Sequence, residues 1–300
     1  MPSVEITDLE IHYLDHGPQD GWPVVLSHGF PYSPEAFAEV TPLLVAQGAR
    51  VLIPYLRGYG LTRFLADNTP RTGQQAALAL DLIGFLDALN LEKAILAGFD
   101  WGGLASCAAT ALFPERVSGL VCYGGYDVYD PATSREPVLP SLERVMWYQH
   151  LFQSGRGKDG LRSSRNEIAQ LLWEEWSPSY HTPSRTEEAF FDAFQNPDFV
   201  DVVTSVYRHS MGNWPGESKF AEHERRLTLR PPIKVPAVTV DGSFDPLKPG
   251  GTKLGTRDTF VGKHEHWTLP IGHAFPLEAP NDFARAVLTV RTWSESKIEK

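Results

Sequence analysis

The stretch Leu96-Ala97-Gly98-Phe99-Asp100-Trp101-Gly102-Gly103 decides how this chain is read. Before it lies an apolar, β-like run, Lys93 to Ala97, and after it a helix of small residues, Leu104 to Leu112. A strand that turns abruptly into a helix needs a tight bend, and glycines at 98, 102 and 103 let the two backbones crowd together there. Such a bend pushes the Asp100 side chain into a cleft, where a carboxylate is a candidate nucleophile.

Working outward, short strands are expected at Val4 to Leu9, Ile11 to Leu14 and Pro23 to Ser27. Ser33-Pro34-Glu35 reads as an N-cap, a first-turn proline and an acid, opening a helix that Gly48 stops after about Gln47. A strand at Arg50 to Pro54, a long loop from Tyr55 to Pro70, a helix from about Gln74 to Leu89 and a strand at Val117 to Tyr123 complete the first half. From Asp130 to about Arg230 strand signals vanish, and aromatic-rich helix candidates punctuated by Pro, Ser and Gly replace them. The alternation resumes with strands at Ala237 to Asp241 and His264 to Leu269 and a helix from about Pro280 to Trp293. This order predicts an α/β fold: a mostly parallel sheet with helices on both faces, residues 1–129 and 231–300 forming the core and 130–230 an inserted helical cap. In such sheets the site lies at the carboxyl ends of the strands.

Composition narrows the function classes. The 300 residues are 42% hydrophobic and 21% charged, as in an ordinary globular chain. A formal charge of −10, spread along the sequence, disfavours nucleic acid and anionic membranes as partners and suits a neutral small molecule. The N-terminal residues show no basic start followed by an apolar stretch, and no apolar run has membrane length, so no membrane insertion and a cytoplasmic location are expected. Cys107 and Cys122 read as buried free thiols. His264-Glu265-His266 alternates on a strand and lacks a third convergent ligand, so neither a metal nor any other cofactor is expected. The four tryptophans at 147, 173, 176 and 214 read mostly as cap core.

Two further residues suit a nucleophilic Asp100. Asp245, in Asp241-Gly242-Ser243-Phe244-Asp245-Pro246, follows a strand, and His273, in Pro270-Ile271-Gly272-His273-Ala274-Phe275-Pro276, follows the last one. A carboxylate that attacks carbon leaves an ester, and a histidine oriented by a second acid can activate water to hydrolyse it. Asp127 and Asp130, after another strand, are alternative acids for the same histidine. The order nucleophile, acid, histidine is that of an α/β-hydrolase.

Over essentially its full length the chain resembles the epoxide hydrolase branch of the α/β-hydrolase superfamily. Asp-Trp-Gly-Gly at 100–103 resembles the branch's nucleophile turn, although Phe99 stands where a histidine is frequent. His28-Gly29-Phe30-Pro31 resembles its oxyanion loop, which implies that the Phe30 and Trp101 N–H groups hold the oxyanion. The segment Trp147 to Gln153, with Tyr148, and Val206-Tyr207-Arg208-His209, with Tyr207, resemble the segments that carry a pair of ring-opening tyrosines. Phe30, Trp101, Tyr148 and Tyr207 are then expected to touch the substrate. Arg57-Gly58-Tyr59-Gly60 resembles a recurrent superfamily loop with a scaffold role.

The resemblance implies a cofactor-independent enzyme that adds water to a small or medium epoxide and releases a vicinal diol. A haloalkane dehalogenase is the nearest rival, with the same nucleophile, acid and histidine, Trp101 and a cap tryptophan serving as halide donors. A haloacetate-cleaving enzyme fits less well, because Trp101 stands where an arginine would grip the carboxylate. An esterase is disfavoured because no G-x-S-x-G run occurs. A non-catalytic binding protein on the same fold is the remoter alternative.

Overall fold

The computed structural model describes residues 1–251 and 259–296. Its strands are β1 (Ser3–Glu5), β2 (Leu9–His16), β3 (Trp22–Ser27), β4 (Ala49–Pro54), β5 (Arg63–Phe64), β6 (Ala94–Gly98), β7 (Val117–Tyr123), β8 (Ala237–Gly242) and β9 (His264–Leu269). They form one sheet in the order β1-β2-β4-β3-β6-β7-β8-β9, with β5 paired to β2. Among the described residues the six strands from β4 to β9 in that order run parallel, and only the β1, β2 and β5 pairings are antiparallel. Every residue of β6 and β8 is buried, because helices cover both faces; β6 accordingly reads as a continuous apolar run, while β8 also buries Thr239 and Asp241.

The sheet helices are α1 (Val40–Val45), α2 (Gln75–Ala88) and α3 (Trp101–Leu112). Between β7 and β8 come α4 (Pro140–Val145), α5 (Trp147–Leu151), α6 (Gly155–Ser163), α7 (Arg165–Trp176), α8 (Ser184–Ala193), α9 (Phe199–Ser210) and α10 (Ala221–Thr228), with no strand among them. The chain closes with α11 (Phe275–Glu278) and α12 (Pro280–Glu295). The helical segment is tied to the loops after the parallel strands. Trp173 Nε1 donates to Pro31 O at 3.1 Å, Gly60 N to Ala193 O at 2.8 Å and His273 N to Trp176 O at 3.0 Å. The last helix, α10, packs instead on α2 and α3, where Glu224 accepts from the Gln74 and Gln75 side chains and from the Ala76 N–H.

Three local expectations are revised. The helix read from Ser33 to Gln47 is broken into a 3-10 turn, Pro34–Phe37, and α1. Pro42 has no N–H to continue a helix through this stretch, and the Ser33 hydroxyl turns to the Glu35 carboxylate without capping a backbone N–H. The loop from Tyr55 contains β5. Helix α3 starts at Trp101, three residues early, because the Asp100 side chain itself accepts from the Trp101 N–H.

All twelve residues of α3 are buried, which explains its Gly, Ala and Ser content: the helix lies between the sheet and α2. A Cβ on Gly102 would run into the Ser27 carbonyl, and one on Gly98 into the Gly102 backbone. Gly102→Ala is therefore expected to destabilise the fold by about 2 kcal/mol or more, a fall of roughly 5 °C in Tm. An unchanged thermal midpoint would contradict this packing.

Candidate active site

Asp100 sits at the carboxyl end of β6, at the head of α3, with φ 52° and ψ −130°. A non-glycine residue in that region costs about 1–3 kcal/mol, and such strain is typical of a turn that aims one side chain. Its Oδ1 accepts from the Phe30 N–H and the Trp101 N–H, both at 2.7 Å. Phe30 can approach because its neighbour is Gly29, where a Cβ would collide with the Asp100 side chain. The two N–H groups expected at an oxyanion thus converge on a single oxygen of Asp100. The other oxygen, Oδ2, lies 3.2 Å from His273 Nε2.

His273 follows β9, and its Nδ1 lies 2.8 Å from Asp245 Oδ2. Asp245 also accepts from the Leu247 N–H at 2.9 Å and from the Tyr123 hydroxyl at 3.0 Å. Burial disfavours charge on the His273 ring, yet the Asp245 and Asp100 carboxylates outweigh it and push the pKa up to about 10. The reciprocal effect holds Asp245 below the usual carboxylate range despite its burial. The His273 ring thus lies between two carboxyl groups, which favour its protonated form. The alternative acids are engaged elsewhere: Asp127 pairs with Lys248 at 3.1 Å, and Asp130 caps the turn Pro131–Arg135 through the Ala132 N–H.

Tyr148 on α5 and Tyr207 on α9 are buried and line a cavity of about 450 Å³ together with Asp100, Trp101 and His273. Their rings are 5.1 Å apart and nearly perpendicular. The Phe30 ring stacks on Trp101 at 5.5 Å and meets the Tyr207 ring edge-on at 5.7 Å. Gln149 Nε2 donates to the Tyr148 hydroxyl at 3.0 Å. Burial first, then neighbouring groups that include the Asp100 charge, raises both phenols above their ordinary value. Both are neutral hydroxyls at pH 7.

Several residues that meet here carry no local sequence signal. The Tyr123 hydroxyl bridges Asp245 and the Gly272 carbonyl, and accepts from the Gly242 N–H at 3.1 Å. Glu278 accepts from the Gly272 and Ala274 N–H groups at 2.7 and 3.0 Å and from the Ser177 hydroxyl at 2.6 Å. Ser177 in turn accepts from the His273 N–H at 3.1 Å, so the histidine loop is held from α11 and from the end of α7. Lys248 lines the cavity beside Asp127.

The remaining sequence candidates lie apart. Arg57 is buried and bonded to both Asp81 carboxylate oxygens, at 2.7 and 2.6 Å, bracing the loop after β4. His264 and His266 both bond the Thr239 hydroxyl, at 2.9 and 2.8 Å. Among the described residues no group of three His, Cys, Asp or Glu side chains converges as a metal site requires, and no helix is long and apolar enough to cross a membrane. Cys107 and Cys122 are free and buried. Trp176 packs on His273 and Tyr148, at 5.1 and 5.2 Å between ring centres, without lining the cavity.

Residues 23–249 match the family described by the α/β hydrolase fold. A crystal structure from Klebsiella pneumoniae subsp. pneumoniae, of a protein proposed to be an epoxide hydrolase, is 41% identical with a TM-score of 0.93, covering 96% of each chain. Epoxide hydrolase B of Mycobacterium tuberculosis is 32% identical, with 93% of this chain and 94% of that protein covered. A haloalkane dehalogenase of Psychrobacter cryohalolentis is 38% identical over 112 residues, which span 37% of this chain and 36% of that protein. The likeness to Epoxide hydrolase B and to the Klebsiella protein thus runs the full length, and likeness to the dehalogenase covers about a third of either chain. The chain is a hydrolase that belongs to the α/β-hydrolase fold family, in its epoxide hydrolase branch.

Proposed function

We propose that this hydrolase opens small or medium epoxides to vicinal diols through an ester on Asp100, without a cofactor, beneath a cap formed by residues 130–230. The observation that carries this reading is the split of the Asp100 carboxylate: one oxygen is held by two N–H groups and the other faces His273 in a cavity shared with two phenols. In the first step Asp100 Oδ2 forms a bond to a ring carbon while the carbon–oxygen bond breaks. Tyr148 and Tyr207 donate to the departing oxygen, which becomes the first hydroxyl.

Esterification then alters the histidine. Asp100 loses its charge on forming the ester, so one of the two carboxylates that raise the His273 pKa is removed; the His273 proton goes to replace the one the phenol gave to the departing oxygen, and the neutral ring can then act as base. It takes a proton from water, the water oxygen attacks the Asp100 carbonyl carbon, and the negative charge develops on Oδ1. That oxygen already lies 2.7 Å from the Phe30 and Trp101 nitrogens, where the N–H groups need no rearrangement to stabilise it. Collapse breaks the bond from that carbon to the diol oxygen, which leaves with the second proton of the water, and the Asp100 carboxylate is restored.

Tyr148→Phe and Tyr207→Phe are each expected to lower kcat for epoxides by about 10- to 100-fold, and the double variant further. Halide release from bromoalkanes, assayed on the same preparation, addresses the dehalogenase reading. That reading uses Trp101 and a cap tryptophan as halide donors, whereas none of Trp147, Trp173, Trp176 and Trp214 lines the cavity. Halide release without diol formation, or native rates in both phenylalanine variants, would overturn the proposal.

A further inference from the structure

The cavity, about 450 Å³, is larger than an epoxide ring requires, and its lining includes charged residues beyond Asp100 and His273. Lys248 Nζ, on the loop that also carries Asp245, donates to the Gly124 carbonyl and to Asp127 Oδ1, both at 3.1 Å. An ammonium has three donors, so one N–H remains without an acceptor among the described residues. Asp127 Oδ2 likewise receives no hydrogen bond from the described residues, and both side chains line the same cavity as Asp100 and His273. Neither residue has a role in the two steps above.

We propose that Asp127 and Lys248 form a subsite for a hydroxyl group carried on the substrate beyond the epoxide ring. A hydroxyl is the simplest group that uses both partners, since it accepts from the Lys248 ammonium and donates to the Asp127 carboxylate. A plain alkyl chain leaves the remaining Lys248 N–H and Asp127 Oδ2 without a partner where it covers them, which is costly for charged groups. A carboxylate satisfies Lys248 but meets the Asp127 charge, in a cavity that Glu136 and Glu143 also line. The substrate class is therefore a neutral epoxide bearing an alcohol on its side chain. This inference rests on the epoxide hydrolase reading.

The test compares kcat/KM for terminal epoxides with a straight alkyl chain against the same epoxides with a hydroxyl, or a carboxylate, at the chain end, over a short series of chain lengths. The native enzyme is expected to prefer the alcohol over the alkyl partner by about tenfold at one chain length or more, although the alcohol gains less from apolar burial. Lys248→Met is expected to bring that ratio to within about twofold of parity. The ratio is the readout because Lys248 also borders Asp245, and a general loss of rate cancels in it. Equal constants for alcohol and alkyl epoxides throughout the native series would overturn the subsite, as would a preference for the carboxylate, and neither result needs a folded variant. Hydrolysis of none of these epoxides would instead overturn the functional reading, and this inference with it.

Discussion

Asp100→Asn is expected to reduce epoxide turnover by at least about a thousandfold while leaving the fold in place. Asparagine keeps the carbonyl oxygen that accepts from the Phe30 and Trp101 N–H groups, so the turn retains the contacts that define it. What it gives up is the negative oxygen facing His273, and with it the bond to carbon. The same change removes one of the two charges that hold the His273 pKa at about 10, so the ring is expected to titrate at lower pH in the variant. Ring resonances followed by NMR across that range check the electrostatic part independently of activity. A variant that still forms diol at the native rate would remove Asp100 from the chemistry. A native protein that binds epoxides without converting them, with affinity unchanged in the variant, would mark a binding protein on this fold.

His273→Gln is expected to separate the two steps. The nucleophile remains, and the tyrosines remain to assist the departing oxygen, so one equivalent of epoxide should be consumed. Without a base to activate water the ester should persist, with diol formation lowered by about a thousandfold or more. Intact-protein mass spectrometry is expected to show a gain equal to the mass of one substrate, localised to the peptide containing Asp100. Turnover at the native rate with no adduct would contradict the assignment of His273 as base.

The backbone order was legible because its signals are local. An apolar strand, a glycine-flanked acid and a small-residue helix lie within a few residues of one another, and β3, β6 and β7 appear as largely apolar runs because both of their faces are covered. The break between Pro34 and Gln47 was the kind of detail that capping rules overlook: they signalled a helix start, while Pro42 set where it could not continue. Asp100, Asp245 and His273 stand out by their position after strands, and the fold brings the three side chains together. Tyr148 and Tyr207 came only from resemblance, since nothing in helical periodicity separates a phenol on a cavity from one in a core.

Tyr123, Glu278 and Lys248 escaped for a different reason. Each acts across the fold: the Tyr123 hydroxyl meets Asp245 from 122 residues away, and Lys248 meets Asp127 from 121. A tyrosine at the end of β7 or a lysine in a loop after β8 has no spacing that marks it. The parallel order β7-β8-β9 brings their carboxyl ends side by side, so the network exists only once the sheet is assembled.

The most direct measurement of the central claim is a single turnover in water enriched in oxygen-18, with enzyme in excess over epoxide. If Asp100 makes the first bond to carbon and water then attacks its ester, the heavy oxygen enters the Asp100 carboxylate and the first diol carries none. Label appearing directly in the diol, with the Asp100 peptide unlabelled, would show that water attacks the epoxide itself and would contradict the account.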